Sequence, residues 1–304
     1  MSIVDPAAAK QVAVIDETVP GEWAHEVAAS PDGRTVYLPI YGNSGVGHPG
    51  LDGDKMLIVD LSTRKIVDSV DFGRGVRPHC VVYEPKSNLL YVTTELAQSV
   101  TIVDPSSRKI IGAIATGAPQ SHMLAISHDG RFAYTSNVSA GSVSVLDLTS
   151  RKFIALIPIS SHSQRISISN DDKLVFTADQ TTPRLAVIDT ETRKIKQWVE
   201  LPAVGYGTAP TRDGSSLLVA LPSIDKVGVV DLATLKVART IDVCQAPPEI
   251  LVRPDGIAYV SCAHGNKVAE LDVAHAKVRR LIDVGKGPDG LAWAPNQSAE
   301  LHTK

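Results

Sequence analysis

Val230-Asp231-Leu232-Ala233-Thr234-Leu235-Lys236-Val237 predicts the end of one β-strand, a tight polar turn and the start of the next strand. The same pattern, an apolar run followed by Asp and then by Lys five residues later, recurs along the 304-residue chain. Its seven copies are Asp5/Lys10, Asp60/Lys65, Asp104/Lys109, Asp147/Lys152, Asp189/Lys194, Asp231/Lys236 and Asp272/Lys277. A fixed period in the low forties is typical of an array of identical supersecondary units.

A second hairpin signal runs in phase with the first. Residues 27–37 contain Ser30-Pro31-Asp32-Gly33 between two apolar runs, which predicts a strand, a turn and another strand. Related turns occur near residues 85, 129, 171, 213, 255 and 295. Each repeat therefore holds four short strands, here called A to D. We predict an all-β fold, a seven-bladed β-propeller of four-stranded antiparallel blades in a single domain spanning residues 1–304.

The two ends of the chain each match half a repeat. Residues 1–17 match strands C and D, whereas residues 286–304 match strands A and B, with a short strand near Glu300-Leu301. The ring is expected to close when these N-terminal and C-terminal strands pair in one blade, because pairing leaves no open sheet edge.

Composition narrows the possible partners. The net charge is −3 with acidic and basic residues interleaved, which argues against a nucleic-acid surface. No apolar run is long enough to cross a membrane. The three cysteines, Cys80, Cys244 and Cys262, have no paired spacing and predict no disulfide framework. A monomer is expected. No signal peptide is seen, and the compartment stays open: cytoplasmic, or periplasmic or secreted if a leader has been removed.

Strand A lines the tunnel of a propeller, so its register decides which side chains meet there. Counting back five residues from Ser30 and its equivalents gives one position per blade. These positions are His25, His79, His122, Gln164, Tyr206, Pro248 and Asp289. Ring closure makes Asp289 a neighbour of His25, so four consecutive blades offer metal-binding side chains at one level.

Three neutral imidazoles with an open fourth position suit a catalytic metal. We therefore predict a divalent transition metal, with zinc first and copper or iron as alternatives, held by His25, His79 and His122 and by Asp289 or water. The alternative is a polar, water-filled tunnel whose histidines bind solvent. Tyr206, Asp289 and Gln164 are the candidate catalytic residues beside the metal.

Arg77 and Arg165 flank this column and are expected to hold an anionic substrate, or else to be solvated or packed between blades. Glu26 and Glu249 lie one step along strand A, and strand alternation predicts that they point away from the axis. Glu95 follows strand B and is a candidate to orient a ligating histidine.

One connection is longer than the others. Residues 42–54, between strands B and C of the first blade, are rich in glycine and contain His48. The segment is either a lid that brings His48 to a substrate or a tolerated insertion. His128, in an A–B turn, is expected on the opposite face.

The repeats resemble the YVTN family of β-propellers. Tyr91-Val92-Thr93-Thr94 is close to the family's namesake strand, and residues 30–34 and 230–234 match its turns. Arg77-Pro78-His79-Cys80-Val81 resembles the Pro-His of virginiamycin B lyase, a propeller of the same size, and propeller lactonases act on related bonds. The resemblance implies a metal-dependent hydrolase or lyase acting on a small substrate such as a cyclic ester or lactone. A non-catalytic scaffold for a peptide or polymer, or a copper or iron redox protein, remains the alternative.

Overall fold

Consecutive β-hairpins account for nearly all the regular structure in the computed structural model, which describes residues 1–16, 22–45 and 48–295. Within this part of the chain six antiparallel blades of four strands follow one another. Blade 1 contains β3 (Trp23–Ala24) and β4 (Ala28–Ala29), which together make a broken innermost strand, then β5 (Thr35–Gly42), β6 (Asp52–Asp60) and β7 (Lys65–Asp71). Blade 2 contains β8 (Pro78–Glu84), β9 (Leu89–Thr94), β10 (Ser99–Asp104) and β11 (Lys109–Ala115).

The next four blades repeat this order from the innermost strand outward. Blade 3 contains β12 (Ser121–Ile126), β13 (Phe132–Asn137), β14 (Ser142–Asp147) and β15 (Lys152–Pro158). Blade 4 contains β16 (Ser167–Ile168), β17 (Leu174–Ala178), β18 (Arg184–Asp189) and β19 (Lys194–Glu200). Blade 5 contains β20 (Thr208–Pro210), β21 (Ser216–Leu221), β22 (Lys226–Asp231) and β23 (Lys236–Asp242). Blade 6 contains β24 (Ile250–Val252), β25 (Ala258–Cys262), β26 (Lys267–Asp272) and β27 (Lys277–Asp283).

The prediction of four-stranded antiparallel blades is confirmed, but the prediction of seven blades is wrong. The first Asp/Lys repeat forms a separate two-stranded sheet of β1 (Ser2–Asp5) and β2 (Lys10–Val14). This sheet is bonded to blade 6, where Arg280 donates to the Ala7 carbonyl, and to blade 1, where Arg64 donates to the Val12 carbonyl.

The inner strand of the expected seventh blade is not formed among the described residues. Residues 288–295, where strand A was expected, adopt no strand. Their Gly290-Leu291-Ala292-Trp293-Ala294-Pro295 sequence lacks the β-branched residues that favour strands. The strand expected near Glu300-Leu301 lies outside the described residues. Gly290 still donates to the His25 carbonyl at 2.9 Å, so the C-terminal segment contacts blade 1.

Aliphatic side chains of the middle strands fill the space between neighbouring blades. The largest cluster joins blades 2, 3 and 4, with Ile102, Leu146 and Ile188 fully buried. The described residues contain no helix long and apolar enough to span a membrane. The core thus lies between the blades, and the strand-A ends are left to line the tunnel.

Candidate functional site at the mouth of the tunnel

The loops that enter strand A share one backbone feature. Arg77, Gln120 and Ala246 have φ angles of 54, 53 and 50°, in the left-handed region that side chains other than glycine seldom adopt. Each lies two residues before a position of the histidine column. Such conformations cost free energy and cluster at functional sites, so the entry to the mouth is a constrained part of the fold.

Two of the three column histidines also sit at β-bulges. The register between β8 and β9 shifts between Pro78 and Val81, which brackets His79. The register between β12 and β13 shifts between Ser121 and Met123, which brackets His122. A bulge re-aims one side chain out of the strand alternation, so both imidazoles turn toward the tunnel mouth.

The structure brings His25, His79 and His122 together at one rim. The ring centroids of His25 and His79 are 5.6 Å apart, and those of His79 and His122 are 3.6 Å apart in a stacked arrangement. Tyr41, at the end of β5, joins the same group, with its ring 4.8 Å from His25 and 4.9 Å from His79.

Each imidazole has its Nδ1 atom against an oxygen. His79 Nδ1 is 3.2 Å from the His122 carbonyl, His122 Nδ1 contacts Glu95, and His25 Nδ1 is 3.4 Å from an Asp289 oxygen. Glu95, fully buried, also accepts from the Tyr41 hydroxyl at 3.1 Å. The suggestion that Glu95 orients a column histidine agrees with this contact.

The three histidines differ in how far they are buried. His79 is buried, and desolvation together with the neighbouring His122 and His25 holds its pKa well below the usual range. His122 is buried as well. The His25 side chain is 37% exposed. His25 is therefore the column histidine that a ligand outside the protein reaches most easily.

A single metal ion bound by three imidazoles does not fit this arrangement. Ligand nitrogens must converge on one point at about 2 Å, whereas His79 and His122 stack face to face. Among the described residues no group of three or more His, Cys, Asp or Glu side chains is arranged to hold a metal ion.

Across the mouth, Arg165 forms the centre of a buried ion cluster. Its guanidinium contacts Glu26, Glu249 at 2.7 Å and Asp289 at 2.6 Å. The Arg165 side chain is 2% exposed, and its carbon Cζ lies 5.1 Å from the Tyr206 ring centroid. Because Arg165 comes from blade 4 and Glu26 from blade 1, the contact crosses the tunnel.

Three carboxyl groups surround one guanidinium, so their protonation is unequal. Burial raises the pKa of Glu26 to about 8 against the pull of Arg165. Burial also raises the pKa of Glu249. Burial would raise the pKa of Asp289 too, but Arg165 and His25 outweigh it and hold that pKa below its ordinary value. Of the three carboxyl groups, Glu26 therefore has the strongest tendency to hold a proton.

Several predicted roles do not match these contacts. Glu26 and Glu249 face the tunnel instead of pointing away, because β3 and β4 are separated around Glu26 and β24 begins only after Glu249. Arg77 is buried and paired with Asp52 at 2.8 Å and with Glu95 at 3.3 Å. Both Arg77 and Arg165 are thus already neutralised, and neither is free to hold an anionic substrate.

The remaining candidates are spread around the rim. Gln164 is half-buried, and its Oε1 atom has no hydrogen-bond partner among the described residues. Burial raises the pKa of Tyr206. His48 is exposed in a short bridge to Gly45, and none of the contacts among the described residues joins it to the histidines. His128 is exposed and contacts Asp172 at 2.6 Å, far from this group in the A–B turn.

Glu26, Arg165 and Glu249 were identified one by one in the sequence, but not as members of a second column. It lies one residue after the first and consists of Glu26, Cys80, Met123, Arg165, Gly207, Glu249 and Gly290. Arg165 contacts both acids of this column and lies 3.6 Å from the Met123 sulfur. The column could have been recognised in the sequence, because two acids and one arginine occupy the same position in different repeats.

The cysteine prediction is wrong in one respect. Cys244 and Cys262 form a disulfide with Cα atoms 5.5 Å apart, although 18 residues separate them. The bond joins the loop before blade 6 to the end of β25, next to the segment that carries Glu249. Cys80 is a buried free thiol, and burial raises its pKa.

A large cavity adjoins the exposed side of the histidine group. Its volume is about 1490 Å³, and it lies between blade 1, blade 6 and the two-stranded sheet. His25, Trp23 and Trp293 contribute to its lining. Its basic lining residues are Arg34, Arg64, Arg253, Arg280 and Lys286, against the acids Asp5, Glu26 and Asp289. The cavity is large enough for a sizeable cofactor.

Comparison with known proteins assigns the family. The sequence profile of the cytochrome D1 heme domain matches residues 84–295, which is more than half of the chain. The chain belongs to the cytochrome D1 heme domain family. A solved structure with a similar fold is that of Kuenenia stuttgartiensis hydrazine synthase, with a TM-score of 0.76 and 18% identity over 93% of this chain and 92% of that chain. No curated protein sequence matches.

The family match corrects the predicted cofactor and reduces the number of functions to be considered. The family is named for heme, which contradicts the zinc, copper or iron ion expected from the three histidines. The hydrolase and lyase activities implied by the YVTN and virginiamycin B lyase resemblance are not supported by the family either. At 18% identity the structural match shows the propeller fold alone.

Proposed function

We propose that this protein is a heme-binding β-propeller with a redox function, the class that the sequence left as an alternative, and that His25 would be the residue that binds the heme iron. The observation that carries the proposal is the position of His25. Its imidazole is 37% exposed at the rim, it borders the 1490 Å³ cavity, and Asp289 stands at its Nδ1 atom. An imidazole with Nδ1 held by an oxygen presents Nε2 to a metal.

The residues present fit heme at His25 and not at the other two histidines. The ring centroids of His79 and His122, 3.6 Å apart, leave no room for a macrocycle between them. The same stack lies against the carboxylate of Glu95, which would repel the acidic side chains of heme.

The cavity supplies the environment that the rest of heme needs. Its lining contains aliphatic residues such as Val36, Leu38 and Leu251 and the aromatic rings of Trp23 and Trp293. Of its five basic side chains, Arg253 and Arg280 are already paired with Asp255 and Glu270, so Arg64 and Lys286 are the cations that would contact a group carrying carboxylates. Bound heme would supply one-electron redox chemistry or a site for a small ligand.

The protein's own residues would set the properties of that ligand. Asp289 fixes the His25 tautomer by accepting from Nδ1–H, and a carboxylate partner makes the imidazole a stronger donor. Arg165 holds the other oxygen of Asp289 at 2.6 Å. Arg165 and Asp289 together thus fix the orientation of the His25 imidazole.

Heme titration tests the proposal. Adding hemin to the purified chain should produce a saturable Soret band at about one equivalent, and it should quench the fluorescence of Trp23 and Trp293. His25→Ala should lose the band while its melting temperature stays near that of the parent. His128→Ala, on the opposite face, is the matched control and should bind as the parent does. Absence of saturable binding, or equal binding by His25→Ala, would refute the site, and the scaffold function would then lead.

A further inference from the structure

The residue that ends strand B is held differently in blade 6 than in its neighbours. By strand register, the place of Cys262 is taken by Thr94 in blade 2 and by Asn137 in blade 3. Both of these residues are held by hydrogen bonds, for example from the Ser121 hydroxyl to Asn137 at 2.7 Å. In blade 6 a covalent bond to Cys244 holds this place instead. The repeat therefore does not need a disulfide in order to fold at this position.

Two prolines explain which contacts the disulfide replaces. In blade 5 the Tyr206 amide donates to the Ala220 carbonyl at 2.9 Å, which ties the start of strand A to strand B. The equivalent residue in blade 6 is Pro248, which follows Pro247, and neither residue has an N–H to donate. β24 accordingly begins only after this point. The disulfide therefore holds residues 244–249, a segment that lacks these backbone bonds.

The same segment reaches the mouth of the tunnel. It ends in Glu249, whose carboxylate is 2.7 Å from the Arg165 guanidinium. The Glu249 carbonyl accepts from the amide of Ser261, the neighbour of Cys262, at 3.1 Å. Cys262 is fully buried, whereas Cys244 is half-buried. The disulfide thus holds one end of a short segment whose other end binds the central cation of the ion cluster.

We propose that the Cys244–Cys262 disulfide is a thiol–disulfide exchange site, that a dithiol cleaves it, and that its cleavage releases Glu249 from the mouth. A thiolate of the dithiol attacks the sulfur of Cys244, the more exposed cysteine, and the Cys262 sulfur leaves and takes up a proton. The second thiol of the reagent then attacks the first, and Cys244 leaves as a thiol. Two electrons pass to the protein, the dithiol ends as a disulfide, and its two protons end on the two cysteines.

Cleavage leaves the segment with weaker attachments to blade 6. Gln245, Ala246 and Glu249 accept backbone hydrogen bonds from the end of strand B and the turn after it, at 3.4, 3.2 and 3.1 Å. Ala246 has a left-handed φ of 50°, a conformation that costs free energy and persists only where the surrounding structure holds it. Glu249 then moves away from Arg165, and water reaches the guanidinium. Because Arg165 also contacts Asp289 at 2.6 Å, the charge balance across the mouth changes.

Chemical labelling of arginines in the full chain tests this exchange site. Phenylglyoxal should label Arg165 slowly in the oxidised parent, because its side chain is 2% exposed, and about tenfold or more faster once dithiothreitol has reduced the disulfide. Arg77 is the matched control within the same molecule. Its side chain is 8% exposed and paired with two carboxylates on the blade 2 side of the mouth, so its labelling should not change. Peptide mass spectrometry measures both sites in one sample.

Hydrogen exchange follows the segment itself. The Ser261 amide, bonded to the Glu249 carbonyl, should exchange faster after reduction. The Val138 amide, bonded to the Gln120 carbonyl at the corresponding place in blade 3, should keep its rate.

A variant without the bond separates its loss from other effects of the reductant. Cys244→Ser/Cys262→Ser should be labelled at Arg165 as fast as the reduced parent is, with or without dithiothreitol. A disulfide that resists dithiothreitol in the folded chain would overturn the proposal. Equal labelling of Arg165 in the oxidised and reduced parent would also overturn it, as would an equal rise at Arg77, because the bond would then not act on the mouth through Glu249. Labelling requires no heme, so these outcomes are independent of the hemin titration.

Discussion

Replacing Arg165 with Met tests whether the ion cluster holds the mouth together. The substitution keeps the length of the side chain but removes the one cation among Glu26, Glu249 and Asp289. Removing one partner of a buried ion pair costs about 3–5 kcal/mol, because it leaves uncompensated buried charge. With an unfolding entropy of about 2.1 cal/mol/K per residue, this loss lowers the melting temperature of a 304-residue chain by about 5–8 °C.

The loss should depend on pH in a definite direction. Without the guanidinium the three carboxyl groups bind protons more tightly in the folded state than in the unfolded state. Stability is then lost as pH rises through their folded pKa values. The melting temperature of Arg165→Met should therefore fall further below the parent at pH 8 than at pH 5. Scanning calorimetry at both pH values measures the difference.

Arg108→Met is the control for removal of an arginine from an ion pair. Arg108 is 45% exposed and contacts Asp68 at 2.6 Å, and exposed pairs contribute about 0–1 kcal/mol. Its melting temperature should change by no more than about 1–2 °C. If Arg165→Met melts like Arg108→Met, or if its loss of stability is greater at pH 5 than at pH 8, the account of the cluster is refuted.

Two further outcomes follow from other buried groups. Glu26 has its pKa raised from 4.5 to about 8, so its contribution to the free energy of unfolding should fall as pH rises from about 4.5 to about 8. In urea titrations the stability of the parent relative to Glu26→Gln should therefore decrease over this window, and a relative stability that increases would contradict the assignment. The Cys244–Cys262 disulfide closes a short loop, so Cys244→Ser/Cys262→Ser should lose about 3 kcal/mol, and dithiothreitol should lower the parent by the same amount while leaving the double variant unchanged.

The blade architecture was predictable because it rests on local signals. Asp and Lys at a fixed spacing mark the turn between two outer strands, and each copy forms in the structure: Asp231, for example, accepts from the Thr234 amide at 2.8 Å, and Leu235 follows with a left-handed φ of 53°. The number of complete blades was not predictable from the number of turns. The seventh turn, Asp5 to Lys10, forms its hairpin, but residues 288–295 supply no inner strand beside it.

The site was predictable in position but not in chemistry. Counting along strand A found His25, His79, His122 and Asp289, which the structure brings to one rim. The directions of the side chains depend on β-bulges in strand A, which could not be predicted from the sequence. These bulges stack His79 on His122, and the breaks in strand A turn Glu26 and Glu249 inward, where strand alternation had placed them outside.

Asp289 links the two halves of the mouth and the two ends of the chain. One of its oxygens accepts from Arg165, and the other contacts His25, so a residue of blade 4 fixes the orientation of a histidine in blade 1. Asp289 belongs to the C-terminal segment, and the next residue, Gly290, donates to the His25 carbonyl. A side chain at Gly290 would meet that carbonyl at 2.6 Å, so the approach requires glycine. Docking of the C-terminal segment on blade 1 and orientation of His25 are therefore one event, and a change that loosens ring closure should also loosen the site.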